Sequence, residues 1–195
     1  MPKKFKPVVN DTTVYVQGRI SYANLLEPRA PKGQEEKVYS CVVMIDPEDK
    51  DAIAAIEKAT DAAIKKGVVS KWNGKTPRKI MRPLQSGDDK ESESLHGHMI
   101  VNCKANRAPA VLDRKKAPIL NAEEVYSGMW AIVCVNMYPY SVTGNNGVGA
   151  GLNAVLKTAD DEQLGGSGSG AHAFDNIDLG EIDSDDDGDM DDDII

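Results

Sequence analysis

Apolar and polar residues alternate along several stretches of the chain, which is the pattern of β-strands that bury one face. In residues 12–26, Val14 and Val16 share one parity, while Tyr15 and Arg19 share the other. Short runs rich in β-branched and aromatic residues extend the series. They predict further strands at residues 38–45, 98–104, 123–140 and 148–157.

One substantial helix is predicted between the second and third strands. Asp46 is a suitable N-cap and Pro47 fits the first helical position, so we expect the helix to begin there. Apolar residues recur at helical spacing as far as Ile64, and Gly67 is expected to end the helix. Residues 68–97 are polar and interrupted by Gly and Pro, which predicts a long irregular excursion.

Five strands, one helix and no alternating βαβ order indicate a mainly β fold. The best match is a five-stranded Greek-key barrel of the OB-fold type, with long loops. A β-sandwich is the alternative.

Charge divides the chain into two parts. All 23 Lys and Arg residues lie between Lys3 and Lys157, whereas 14 of the 31 acidic residues follow residue 158. We therefore predict a folded domain at residues 1–164, followed at 165–195 by a flexible Gly/Ser linker and a disordered acidic tail. A basic body with an acidic tail is typical of nucleic-acid-binding and interaction proteins.

Several classes of protein are excluded on composition. No stretch approaches the ~18 apolar residues of a membrane span, and no apolar run follows the basic start of the chain as in a secretory signal. Cys41, Cys103 and Cys134 are too widely spaced for a disulfide framework or a zinc site. We expect a reducing cytoplasmic setting.

Basic residues and aromatic residues supply the candidate chemistry. Cations that follow phosphates and aromatic rings that stack on bases hold single-stranded nucleic acid. Between Asp61 and Asp88 there are seven cations and no acid, and Trp72 lies among them; a solvated loop is the alternative for this run. The predicted nucleic-acid-binding residues are Tyr15, Arg19, Lys71, Trp72, Lys75, Arg78, Lys79, Arg82, Lys104, Arg107, Tyr138 and Tyr140.

Catalytic and metal-binding patterns are weak. Asp183, Asp185 and Asp187 match the start of an EF-hand loop, but its twelfth position is Ile194 instead of Glu. His96 and His98 lack a third ligand at metal spacing. We expect no enzyme activity, cofactor or metal; a hydrolase that uses His98 or Cys103 is a minor alternative.

The order of motifs resembles bacteriophage single-stranded DNA-binding proteins with an OB fold. The resemblance rests on YSGMWAIVCVNMYPY (126–140), on GVGAGLNAVLK (147–157) and on the D-E-x-L-G-G motif that follows. It implies sequence-independent binding of single-stranded DNA during phage replication and recombination, in the cytoplasm of the infected bacterium. It also implies that the tail docks replication proteins.

Opposite charges on one chain predict that the tail competes with DNA for the basic groove, because the linker keeps its local concentration high. Once displaced, the tail is free to recruit replication or recombination proteins. The alternative is an acidic protein that mimics DNA and blocks a DNA-binding enzyme. The residues assigned to this tail function are Asp185, Asp186, Asp187, Asp189, Asp191, Asp192, Asp193, Ile194 and Ile195.

Overall fold

A computed structural model describes residues 3–31 and 33–164 of the 195-residue chain. The predicted linker and acidic tail lie outside the described residues. The elements are, in chain order, β1 (Val8–Asn10), β2 (Thr13–Arg29), β3 (Val38–Ile45), α1 (Lys50–Ser70), β4 (Leu84–Ser86), β5 (Met99–Ala105), β6 (Ala110–Leu112), β7 (Trp130–Val142) and β8 (Asn145–Ala159).

Five of these strands close into a barrel, in the order β2-β3-β5-β8-β7 and back to β2. All neighbouring pairs are antiparallel except β5 and β8, where Cys103 lies opposite Ala150 in a parallel pairing. The antiparallel pairing of β2 with β7 completes the circuit. The predicted five-stranded OB-type barrel is therefore confirmed, and the short strands β1, β4 and β6 are additions to it.

The inside of the barrel is filled by the apolar side chains that occupy every second position of each strand. Val14, Val16 and Ile20 of β2 are buried, and they pack with Val133 and Val135 of β7. The side chains of opposite parity point outward, which places any ligand-binding chemistry on the outer face.

Helix α1 contributes a face of small side chains to the same core, including Ala52, Ala59 and Ala63. It begins later than predicted: the cap is Asp49, whose Oδ1 accepts a hydrogen bond from Ala52 N at 3.2 Å. The predicted cap, Asp46, accepts from Glu48 N in the preceding turn instead. The helix also continues past Gly67.

The irregular segment between α1 and β5 covers part of the barrel. It contains β4 and two short 3-10 turns. Leu95, in the second turn, packs with Val42, Met44 and Ile100 in a small cluster on the outer face of β3 and β5. The predicted excursion is thus partly ordered, and it packs against the outer face of β3 and β5.

Residues 160–164, here called the C-terminal strap, are fastened across β7. The indole of Trp130 donates to Asp161 Oδ2 at 2.6 Å, and this hydrogen bond lowers the pKa of Asp161. Arg19 donates to Glu162 O at 2.6 Å, and Leu164 N donates to Ser127 O at 2.7 Å. The D-E-x-L part of the terminal motif therefore has a structural role.

Among the described residues, no helix has the length and apolar character needed to cross a bilayer.

Candidate nucleic-acid interface

Two tyrosines lie on the outer face of β7 and lean over glycines of β8. Tyr138 is the cross-strand partner of Gly149, and Tyr140 is the partner of Gly147. A Cβ atom at Gly149 would approach Tyr138 Cζ to 2.5 Å, and one at Gly147 would approach Tyr140 Oη to 2.5 Å. The alternating glycines thus make room for the phenol rings along the sheet, and Tyr138 remains 44% exposed.

We call this surface the tyrosine–glycine face; its residues are Tyr138, Tyr140, Gly147, Gly149 and Gly151. The sequence analysis predicted a strand at residues 148–157 but assigned no function to its glycines. Their spacing of two in a strand, opposite tyrosines spaced by two, is the signal that could have found them.

A groove of about 940 Å³ runs between the tyrosines and the last turns of α1. Its cations are Lys65, Lys66 and Lys71, of which sequence reasoning selected only Lys71. Lys66 forms an ion pair with Asp11, whereas Lys65 and Lys71 have no ion pair in the part of the chain that is described. The groove therefore combines aromatic surface with free positive charge.

The basic loop, residues 71–80, is fixed at both ends to the same hairpin. Trp72 Nε1 donates to Tyr140 O at 3.3 Å, and Met81 N donates to Asn146 O at 3.0 Å. Met81 also bridges to Gly147, the partner of Tyr140. Besides Lys71, the exposed cations of this loop are Lys75, Arg78 and Lys79, which consequently lie beside the tyrosine–glycine face.

Lys104 connects this face with the neighbouring strands. It is exposed on β5, where its cross-strand partners are Gly151 on β8 and Ser40 on β3. Ser40 in turn lies opposite Asn24 on β2. A polar surface therefore runs across β8, β5, β3 and β2, perpendicular to the strands.

Trp72 does not offer the exposed ring that the sequence predicted. Only 7% of its surface is exposed, and its ring packs against Gly67 of α1. The sequence could not show this, because the neighbouring residues are polar while the burial comes from the distant β7 hairpin. The prediction of Trp72 as a stacking surface is wrong, and its role is to hold the basic loop.

We expect Trp72→Ala to lower the free energy of unfolding by about 3–5 kcal/mol, as for other buried aromatic residues. Trp72→Phe keeps most of the packing and is expected to bind single-stranded DNA with unchanged affinity. Chemical denaturation and fluorescence anisotropy measure the two quantities. A stable Trp72→Phe variant that binds DNA weakly would contradict this assignment and indicate that the Trp72 side chain contacts DNA.

Arg82 is also reassigned by the structure. Its Nε donates to Glu57 Oε2 at 2.9 Å and its Nη2 to Asp61 Oδ1 at 2.6 Å. Partial burial acts to lower the pKa of Arg82, but these two hydrogen bonds outweigh it and raise the pKa. Arg82 therefore clamps the excursion to α1. The sequence had suggested a cation free to bind phosphate, but its guanidinium is occupied by the two carboxylates.

The remaining predicted residues lie apart from the groove. Arg19 donates to Gly128 O at 3.0 Å and to the C-terminal strap, so its guanidinium is occupied. Tyr15 is 38% exposed on the outer face, opposite Cys134. Cys134 precedes Tyr138 by four strand residues, or about 13 Å. Arg107 is exposed after β5 and is not among the residues that line the groove.

The described residues contain no cluster of three or more metal-ligating side chains. The neighbouring thiol of Cys41, together with complete burial, raises the pKa of Cys103 well above its usual value. A nucleophilic cysteine requires the opposite shift. This shift argues against a nucleophilic role for Cys103.

Comparisons with known proteins identify a matching family. The family model described as "Enterobacter phage Enc34, ssDNA-binding protein" matches residues 11–190. A comparison with curated proteins finds no match.

Solved structures of phage proteins share the fold. The single-stranded DNA-binding protein from bacteriophage Enc34 is 22% identical, covers 89% of this chain and 97% of its own, and has a TM-score of 0.68. The same protein in complex with ssDNA is 25% identical, with 84% and 97% covered and a TM-score of 0.65. The single-stranded DNA-binding protein gp2.5 of bacteriophage T7 is 16% identical, with 88% and 98% covered and a TM-score of 0.55.

The barrel, the basic aromatic groove and a family match over most of the sequence lead to one assignment: the chain belongs to the Enc34 family of phage single-stranded DNA-binding proteins.

Proposed function

We propose that this chain binds single-stranded DNA without sequence preference, across the outer face of the barrel. The observation that carries the proposal is the tyrosine–glycine face, where Tyr138 and Tyr140 lie over glycines beside a cationic groove. In OB folds, oligonucleotides bind on the face of the second and third barrel strands. Here those strands are β3 and β5, and Lys104 joins them to the tyrosines.

Stacking accounts for the preference for single strands. Every base has a π face, so a tyrosine ring accepts any base, at about 1–3 kcal/mol per stacked base. Bases inside a duplex are already stacked on one another and cannot meet the rings. Duplex binding is left with the phosphate contacts alone and is therefore weaker.

Phosphate neutralisation makes the binding depend on salt. Lys65, Lys71 and Lys104 border the path of the strand, and the basic loop adds three exposed cations. If about four phosphates are neutralised, the slope of log affinity against log salt is about −3 for a single strand. The mechanism is binding alone, with no catalytic step.

The setting is DNA replication and recombination of a phage, in the cytoplasm of the infected bacterium. The family match supports this proposal. No cofactor or metal takes part in it.

The acidic tail has two roles in the proposal. Without DNA it competes for the cationic groove, because the 11 acidic residues within 165–195 are opposite in sign to the net charge of +3 on residues 1–164. With DNA bound it is released, and its acidic residues, together with Ile194 and Ile195, dock a replication or recombination protein that presents a basic patch.

A gel shift with single-stranded DNA, duplex DNA and single-stranded RNA of one length tests the proposal. We expect the single-stranded DNA to bind more tightly than the duplex, with affinity that falls as salt rises. Equal affinity for the duplex, or affinity independent of salt, would refute it. The RNA arm shows whether the sugar contributes to recognition.

Replacing Lys75, Arg78 and Lys79 of the basic loop by Ala should lower affinity at least about tenfold and make the salt slope less negative by about 0.7 for each phosphate contact that is lost. Melting temperature should not change, because these side chains are exposed. Arg82→Ala is the matched control: it removes the clamp to Glu57 and Asp61, so it should lower the melting temperature and leave the slope unchanged. An unchanged slope in the folded triple variant would place the phosphates elsewhere.

A further inference from the structure

A second cavity, of about 500 Å³, opens on the outer face of β2, β3 and β5. Its floor is apolar and is formed by Val42, Leu95 and Ile100, which are buried in the small cluster outside the barrel core. Its rim is polar and includes Tyr22 and Asn102. We call it the Tyr22 pocket. Neither the sequence motifs nor the tyrosine–glycine face explains it.

We propose that the Tyr22 pocket receives one nucleobase of the bound strand, turned out of the row of stacked bases. The inference rests on the proposed function and adds a second type of contact to it. An aromatic wall and an apolar floor suit the planar ring of a base and do not suit a phosphate. The volume lies within the range of small-molecule pockets.

Tyr22 is held in an uncommon backbone conformation that turns its ring out of the strand. Its φ is +49°, in the left-handed region that bulky residues avoid. The register between β2 and β3 shifts between Ser21 and Asn24, so the irregularity is built into the strand pairing. As a result Tyr22 is 51% exposed at the rim. Backbone strain of this kind is concentrated at functional sites.

Two amides give the pocket hydrogen-bonding capacity. Asn24 Nδ2 donates to Tyr22 O at 3.2 Å and to Ser40 Oγ at 3.3 Å, which orients the amide and leaves Oδ1 without a partner among the described residues. The amide of Asn102 likewise has no partner there and is exposed. Amide groups both donate and accept, as the edges of bases do.

The charge at the rim fits the phosphates on either side of an inserted base. Arg29, Lys90 and Lys104 line the pocket against one acid, Glu91. Lys104 also lies opposite Gly151 of the tyrosine–glycine face. From β8 to β2 the distance is three strand spacings, about 14 Å, so one short strand of DNA can contact both surfaces.

The test compares dT, dA and dC oligomers of one length on full-length protein carrying Tyr22→Ala, Tyr22→Phe or Asn102→Leu. Tyr22→Ala should weaken binding at least about fivefold, the lower limit for loss of one stacked base, and Tyr22→Phe should retain it. Asn102→Leu should weaken binding of all three oligomers by roughly fivefold or more, since one amide–base contact is lost and an amide can donate to or accept from the edge of any base.

The outcomes separate this proposal from the proposed function. If Tyr138→Ala binds single-stranded DNA more weakly than wild type while the pocket variants bind it equally well, the pocket is not a base site. The DNA would then still cross the tyrosines, as the proposed function requires. If wild-type protein fails to bind single-stranded DNA, the proposed function itself is refuted. Tighter binding by Tyr22→Ala at low salt would also overturn the inference, because it would indicate a competing occupant such as Ile194 and Ile195. Asn102 is exposed on a paired strand, so Asn102→Leu keeps the test valid if Tyr22→Ala does not fold.

Discussion

Replacing both Tyr138 and Tyr140 by Ala is expected to weaken single-stranded DNA binding by about 2–6 kcal/mol, if each ring stacks on one base at about 1–3 kcal/mol. The lower limit is already more than a tenfold loss of affinity. Tyr138 has nearly half of its surface free, so its removal should change stability little. Fluorescence anisotropy with a labelled dT oligomer measures the affinity, and thermal unfolding measures the stability.

The glycines supply a matched control for this double variant. Gly149→Ala keeps both tyrosines but adds a Cβ only 2.5 Å from Tyr138 Cζ, too close for the ring to stay in place. It should displace the ring and weaken DNA binding without removing any contact group. If the double variant instead loses about 3–5 kcal/mol of unfolding free energy, as for buried aromatics, and binds DNA normally once folded, the rings serve packing.

Deleting residues 172–195 is expected to strengthen single-stranded DNA binding by roughly tenfold at low salt, because the tethered competitor is removed. The deletion removes 11 acidic and no basic residues, which changes the formal net charge from −8 to +3. The gain should shrink near 0.5 M salt, where the Debye length is about 4 Å. Binding isotherms at several salt concentrations measure the effect.

A full-length variant with those 11 acids changed to Asn or Gln keeps the length of the tail and removes only its charge, so it separates the two effects. It should reproduce the deletion, since charge is the cause. Ile194→Ala with Ile195→Ala should leave DNA affinity unchanged and weaken binding of the replication partner. Equal affinity of the deleted and complete chains at low salt would contradict competition, and a deleted chain that still binds its partners would contradict recruitment.

Local patterns were sufficient to predict the barrel. Alternation identified β2, β7 and β8 because each buries one parity, as Val14, Val133 and Leu152 show. The same parity placed Tyr138 and Tyr140 outside. The start of α1 was predicted three residues early, because Asp46 and Asp49 are both plausible caps and only the local turn decides between them.

The parts that sequence reasoning missed depend on partners distant in the chain. Arg82 has no acid nearby in sequence, yet Glu57 and Asp61 reach it from α1. Trp72 is buried by Gly67 and by the β7 hairpin, although its sequence neighbours are polar. Arg19 is bound by the C-terminal strap. In each case a tertiary contact determines whether a charged or aromatic side chain is free to bind a ligand.

Photochemical cross-linking of the full-length protein to a dT oligomer, followed by mapping of the cross-linked peptides, tests most directly where the strand lies. We expect the principal cross-links in the peptide that carries Tyr138 and Tyr140, with a second set near Tyr22 or Lys104. High salt and an excess of unlabelled single-stranded DNA should suppress both sets. Cross-links confined to residues 110–125, or to the side of the barrel that carries Tyr15, with none at Tyr138 or Tyr140, would contradict binding across the tyrosine–glycine face.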